Sequence, residues 1–321
     1  MFRYKNLIFV FIALLAVVVC AEVVIGTAGR LRYRVQADTK DLPPLGYIIH
    51  PDKYNLNQYV CNGSDNCQSK MRIPSGTGFK KPAVVIFGCS FAHGDTNLTQ
   101  NQTFSHKLSQ HTRRPVYNRA VQGKGLAFML LQTNDKKFYE TVPEADTYIY
   151  VFMYDAFRRM FSYKFDPVSP YFLFRYTYDK NKKKLVPDDY SSPVLNFLRS
   201  TYLASFYNAY ETKKYIDDPK NAEEITDIAL LHFLEARKNL ENHYNKTVKF
   251  IVLFYSDPEP MPFQELLKEK LLKNNFIVLE TNKLTDVDLF KKPVYLHENG
   301  HPTEEAWNLL TPLIIKSAQI Y

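Results

Sequence analysis

Along the 321 residues no internal repeat recurs and no low-complexity tract appears, which sets aside repeat arrays. No stripe of Lys and Arg is interleaved with aromatics, and no zinc-finger or helix-turn-helix spacing occurs. Nucleic acid is therefore not an expected partner despite a net charge of +8. The positive charge is scattered in small clusters, at Arg30/Arg32/Arg34, Arg113/Arg114 and Lys182 to Lys184. These read as solvated side chains, with an anionic lipid or glycan surface as the other reading. Cysteine is scarce, at 4 residues, and no second Cys/His pair has ligand spacing beside Cys61 and Cys67, so neither a metal nor any other cofactor is expected. Tryptophan occurs once, beside 23 Tyr and 23 Phe, which suits an aromatic-rich surface or cleft such as a sugar-binding one, or simply a compositional bias.

What is present argues a folded protein. Hydrophobic residues make up 45% and aromatics 15% of the chain, which is too apolar for disorder and long enough for one large core with an appendage. Leu7 to Ala21 is an unbroken apolar run preceded by Arg3 and Lys5, and it continues through Val23-Val24-Ile25-Gly26. Its length is near the ~20 residues of a spanning helix. Residues 1–28 are read as an uncleaved membrane anchor in preference to a cleaved signal, with the rest of the chain on the extracytoplasmic side. Outside the cytoplasm, Cys61 and Cys67 in their polar loop are expected to form a disulfide, two free thiols being the alternative.

Residues 29–81, rich in Pro, Asn, Asp and Tyr, read as a stalk and extended arm. From 82 to 321 strand and helix patterns alternate: strands at 83–87, 116–118, 147–153, 249–255 and 276–279, and helices at 103–112, 126–139, 193–215, 222–244 and 263–273, with a last helix opened by Pro302-Thr-Glu-Glu. That alternation predicts a parallel sheet with helices on both faces. Between about 156 and 193 the pattern breaks, and 171–178 with 184–186 reads as a hairpin insertion, either a lid or rim over the site or a surface excursion.

The chemistry starts where the first of these strands stops. Val84-Val-Ile-Phe-Gly88 is followed by Cys89-Ser90-Phe91-Ala92-His93-Gly94, a Ser among small neighbours beyond the carboxyl end of a buried strand, where α/β folds bind ligands. A Ser hydroxyl needs a base, and His301, in Glu298-Asn-Gly-His301-Pro302, stands just before the last helical pattern. His93 and His297 are weaker candidates for the same role.

These residues resemble the blocks of the SGNH (GDSL-type) hydrolase family. Gly88-Cys89-Ser90-Phe91 is similar to the Gly-Asp-Ser-Phe/Leu block, with Cys89 in place of the Asp. Asn118 to Gly123 is similar to the second block, an Asn followed five residues later by Gly. Phe152-Met153-Tyr154-Asp155 falls on the third block, Gly-x-Asn-Asp, and keeps only its Asp. Glu298-x-x-His301-Pro302 resembles the closing Asp-x-x-His. The resemblance implies a three-layer α/β/α sandwich with a flavodoxin-like parallel sheet, a Ser90 nucleophile, His301 as base and Glu298 orienting it, Asp286 and Asp288 being substitutes. It also implies oxyanion donors from the Ser90 and Gly123 amides, with Tyr154 in the position of the family's Asn and Asn118 as a possible replacement donor. The implied activity is that of an esterase, deacetylase or O-acyltransferase on acyl esters of envelope glycans or lipids. The rival is a noncatalytic glycan-binding or envelope-assembly protein that kept the fold.

Overall fold

Ala83 to Gly88 is buried at every position, so both faces of this segment must be covered. A strand with no polar face belongs inside a parallel sheet with helices above and below. The computed structural model describes residues 16–21, 23–24, 60–61, 71–72, 74–94, 98–142, 144–162, 175–188, 199, 201–255, 262–290, 294–298 and 300–321. In chain order its principal strands are β1 Ala83–Gly88, β2 Val116–Asn118, β3 Ala145–Phe152, β4 Tyr176–Asp179, β5 Lys184–Pro187, β6 Lys249–Phe254 and β7 Ile277–Glu280. Five of them form one sheet in the order β2-β1-β3-β6-β7, every pair parallel. That is the order 2-1-3-4-5 along the chain, the flavodoxin-like arrangement expected.

Side chains alternate across this sheet into two helix layers. Val85, Phe87, Tyr148, Tyr150, Phe152 and Val252 face one side. They are covered by α3 Leu126–Asn134, α4 Lys136–Thr141, α5 Asp155–Phe161, α6 Tyr202–Asp217, α7 Ala222–Tyr244 and α8 Pro262–Lys273. Val84, Ile86, Ile149, Val151, Ile251 and Leu253 face the other side. Over them lie α1 Ser90–His93, α2 Phe104–Thr112, α9 Thr281–Leu284 and α10 Glu304–Ala318. In this second layer Phe104 of α2 stacks on Trp307 of α10 at 4.6 Å, and Lys107 pairs with Glu304. The last helix of the chain is thereby fastened beside the first strand.

The structure departs from the sequence reading in three places. Residues 155–161, where the sequence pattern breaks from about 156, form α5, whose first residue Asp155 suits a helix N-terminus and pairs with Arg158 and Arg159. The helix expected over 126–139 is broken at Asp135, whose side chain accepts from the Lys137 amide at 2.9 Å and starts α4. Pro302 lies outside the last helix, because Thr303 is its N-cap and Glu304 its first residue. The hairpin β4–β5 exists and is antiparallel, as expected. Tyr176 at its base packs edge-on against His232 of α7 and takes a hydrogen bond from Asn134, at the end of α3 that lies away from Ser90. It is a surface excursion on the outer helix layer.

At the arm's end, Ser75 exchanges two backbone hydrogen bonds with Val116, of 2.9 and 2.8 Å, and covers the open edge of β2. Of the expected anchor only 16–21 and 23–24 are described, and these are helical. Among the described residues no helix is long and apolar enough to cross a membrane. The expected anchor thus lies largely outside the described residues, as does the Cys61–Cys67 pairing, since Cys67 is not among them.

Candidate active site

Strand β1 must turn sharply at Gly88, because its neighbours leave no room for a side chain. A Cβ there would stand 2.9 Å from the Ala92 Cβ and 3.0 Å from the Val151 carbonyl oxygen, and φ is +144°. Glycine meets both demands. Cys89 follows as the N-cap of α1, and Ser90 is the first residue of that helix. The Cys89 thiol is buried and donates to Met153 Sδ at 3.2 Å, so Cys89 packs as a small apolar residue and does not compete as nucleophile. Ser90 itself keeps 9% of its surface.

His301 comes to Ser90 from the far end of the chain. Leu296 and Pro302 form an antiparallel bridge. Inside it the His297 amide donates to the His301 carbonyl at 2.8 Å, and the Gly300 amide donates to the His297 carbonyl at 2.8 Å. Thr303 then ties this turn to α10. Its hydroxyl donates to the Val294 carbonyl at 2.6 Å and accepts from the Ala306 amide at 3.3 Å. The His301 ring packs on Phe91 with centroids 5.1 Å apart. Held so, His301 Nε2 lies 2.7 Å from Ser90 Oγ. In the tautomer with its proton on Nδ1, His301 accepts the hydroxyl proton, which is the arrangement of an activated serine.

The loop after β2 brings a backbone donor alongside. The Arg119 amide donates to the Ile86 carbonyl at 2.7 Å and the Val121 amide to the Gly88 carbonyl at 3.2 Å. This extends the β1–β2 ladder beyond the strands as far as Val121, two residues before Gly123. The Lys124 amide closes a turn onto the Val121 carbonyl at 3.2 Å, with Gly123 in its third position at φ +69°. A positive φ there is the type II geometry that glycine favours. Neither the Ser90 nor the Gly123 amide donates to an acceptor among the described residues.

The remaining expected site residues are placed elsewhere. Asn118 is buried, and its Nδ2 donates to the Ala92 carbonyl at 2.8 Å and to Ser105 Oγ at 3.4 Å, while its Oδ1 accepts from the Ala120 amide at 3.1 Å. Both amide hydrogens are used in joining β2 to α1 and α2, so Asn118 is a structural clamp and no replacement donor. Tyr154 begins the turn into α5, and its ring packs against Phe157 in the layer opposite Phe91. Burial, with the carboxylates of Asp217 and Asp155 nearby, raises its phenol pKa. Glu298 sits at the exposed tip of the 297–300 turn and makes no hydrogen bond or ion pair among the described residues. Asp286 is exposed, and Asp288 accepts from the Phe290 amide at 3.0 Å. Both line a cleft of about 230 Å³ with Thr281, Thr285 and Phe290. His93 is fully buried within α1, and His297 serves the turn through its backbone. The Phe91 platform under His301 and the Thr303 tie were not anticipated. The Thr before Glu304-Glu305 is a cap pattern that points to the second.

No protein-family model and no curated protein matches the chain. Among solved structures it is similar to a protein assigned to the lipolytic G-D-S-L family from Desulfitobacterium hafniense DCB-2, at 12% identity and a TM-score of 0.41 over 75% of this chain and 100% of that one. It is similar to a lipolytic G-D-S-L family member from Veillonella parvula DSM 2008, at 10% identity and a TM-score of 0.40 over 74% of this chain and 97% of that one. It is also similar to a family two carbohydrate esterase from Clostridium thermocellum, in complex with cellohexaose, at 11% identity and a TM-score of 0.37 over 75% of this chain and 67% of that one. Similarity at this level says nothing of substrate, and the chemistry rests on the chain's own geometry.

Proposed function

We propose that the chain is an SGNH-type serine esterase, deacetylase or O-acyltransferase acting through a Ser90 acyl-enzyme. The observation that carries this reading is the 2.7 Å contact between Ser90 Oγ and His301 Nε2, 211 residues apart in sequence, at the carboxyl end of the first sheet strand. His301 Nε2 takes the hydroxyl proton as Ser90 Oγ attacks the ester carbonyl carbon. The amides of Ser90 and Gly123 receive the negative charge that develops on the carbonyl oxygen. Collapse expels the alcohol, which leaves with the proton from His301, and Ser90 keeps the acyl group. Water, deprotonated by His301, then releases the acid, or a sugar hydroxyl takes the acyl group in transfer. The substrates proposed are acyl esters of envelope glycans or of lipids, met by a domain that residues 1–28 hold at the outer face of a membrane.

The second reading, a noncatalytic glycan-binding or assembly protein of the same fold, is favoured by Asn118 and Tyr154. With Asn118 committed and Tyr154 turned to the other layer, the proposed oxyanion hole keeps two candidate donors of three, and one missing donor costs about 10²–10³ in rate. Fluorophosphonate labelling with p-nitrophenyl acetate turnover separates the two readings. The esterase reading expects one adduct, mapped to Ser90, and loss of both signals in Ser90→Ala and His301→Ala. Folded wild-type protein that neither labels nor turns over ester would leave the noncatalytic reading standing.

A further inference from the structure

The geometry points to Arg159, held by Asp155, as a positioning residue for the Gly123 amide. This inference rests on the esterase reading above. Arg159 lies on α5 and is 3% exposed, so its charge is removed from water. A charge so placed is tolerated only when paired and hydrogen-bonded. Its Nη2 donates to Asp155 Oδ2 at 3.1 Å, one helical turn back, and its Nη1 donates to the Lys124 carbonyl at 3.2 Å. Lys124 follows Gly123 directly and closes the turn that carries it.

The approach of α5 to this loop is built into the sequence. A Cβ on Gly125 would meet the Arg159 Cβ at 2.9 Å and the Ala156 carbonyl oxygen at 3.8 Å, so Gly125 lets the helix lie against the loop. The loop is thus gripped from two sides, by β1 through the Val121–Gly88 hydrogen bond and by α5 through Arg159. A type II turn directs its central N–H to one face, and rotation of that peptide would turn the donor away at little covalent cost. The guanidinium on the carbonyl of Lys124, the last residue of the turn, fixes the end about which that peptide would rotate. Asp155 holds the guanidinium, which accounts for this acid in a segment whose other third-block positions have changed.

Three variants of the full chain test this: Arg159→Met, which keeps bulk and loses the donors, Arg159→Lys, which keeps charge and one donor, and Asp155→Asn. The readouts are kcat and KM for p-nitrophenyl acetate, and amide hydrogen exchange of residues 121–125 against β1 and α10. In Arg159→Met, kcat should fall about 10- to 100-fold, short of the 10²–10³ for outright loss of a donor, with KM within about twofold. Exchange in 121–125 should quicken while β1 and α10 stay as in wild type, and Arg159→Lys should recover most of kcat. Unchanged kcat, or unchanged exchange in 121–125, overturns the role. So does exchange that quickens equally everywhere, which would mark Arg159 as merely structural. If Arg159→Met fails to fold, Asp155→Asn carries the same test. Wild-type protein inactive toward ester and fluorophosphonate is the failure of the esterase reading. Active wild type with unaffected variants is the failure of this one alone.

Discussion

At the scale of single residues, the site is a pair with an unusual third position. Ser90 and His301 meet at 2.7 Å, yet Glu298, expected from the sequence resemblance to orient the histidine, stands exposed at the tip of its turn. Its side chain leaves the same turn as His301, but the tight hydrogen bonds of 297–301 join backbone to backbone and do not carry the carboxylate to the imidazole. Glu298→Gln is therefore expected to keep kcat/KM within about threefold, as for a surface change worth about 0.5 kcal/mol or less. Loss of a true orienting acid costs ~10⁴ in a serine protease. Steady-state rates with p-nitrophenyl acetate decide between these, and a fall of a thousandfold or more would restore Glu298 to the triad. The His301 ring also packs on Phe91, a ring placed by the same short helix that presents Ser90.

At the scale of elements, the proposed base, His301, depends on how α10 begins. Thr303 both caps the helix and donates to the Val294 carbonyl, so one hydroxyl links the helix to the strand-like turn that carries His301. Glu304 adds an ion pair with Lys107 of α2, whose hydrogen bond holds the Glu304 carboxyl below its ordinary range. The two contributions differ in size. Losing a Thr cap costs about 1–2 kcal/mol, whereas an ion pair that still reaches solvent is worth about 0–1 kcal/mol. Urea unfolding should accordingly show Thr303→Val losing more stability than Glu304→Gln, and an inverted order would mean that the charge pair, not the cap, anchors the helix. Turnover in Thr303→Val should fall as well, because the turn that holds His301 loses its tie.

At the scale of the molecule, the layer opposite the site carries a titratable weakness. His232 lies in the middle of α7, is fully buried, and its Nδ1 meets the Ile228 carbonyl at 2.8 Å. Burial holds its pKa down at about 4, below the ordinary 6.5, so the folded ring stays neutral where the unfolded one is charged. Above pH 6.5 both states are neutral and the group has no effect. As pH falls from 6.5 toward 4 the unfolded chain binds the extra proton, and stability drops by on the order of 3 kcal/mol across that window. Denaturant unfolding at pH 7.5 and 5.0 should show His232→Leu losing less stability on acidification than wild type. Equal losses would mean that the buried ring is protonated in the folded state after all.

Much of this fold was open to sequence reading because local rules and tertiary packing agree. A fully apolar β-branched run such as Val84 to Phe87 has one stable home, a central parallel strand, and the alternation of strands and helices then leads to the order 2-1-3-4-5. Ser90 and His301 were legible for the same reason, each beside a structural boundary that its neighbours mark. What the tertiary structure alone decided are contacts between segments distant in sequence. That Asn118 clamps β2 to α1 and α2, one of the two roles its sequence position allowed, rests on its contacts with Ala92 and Ser105, and the seat of the Tyr154 ring on the layer that it joins. The Arg159 grip on the Gly123 loop, the detachment of Glu298 and the outward seat of the hairpin follow likewise from which faces meet across the sheet. No local pattern encodes them, because a side chain's partner depends on its distance in space, and spacing along the chain constrains that distance only within a turn or so of helix or strand.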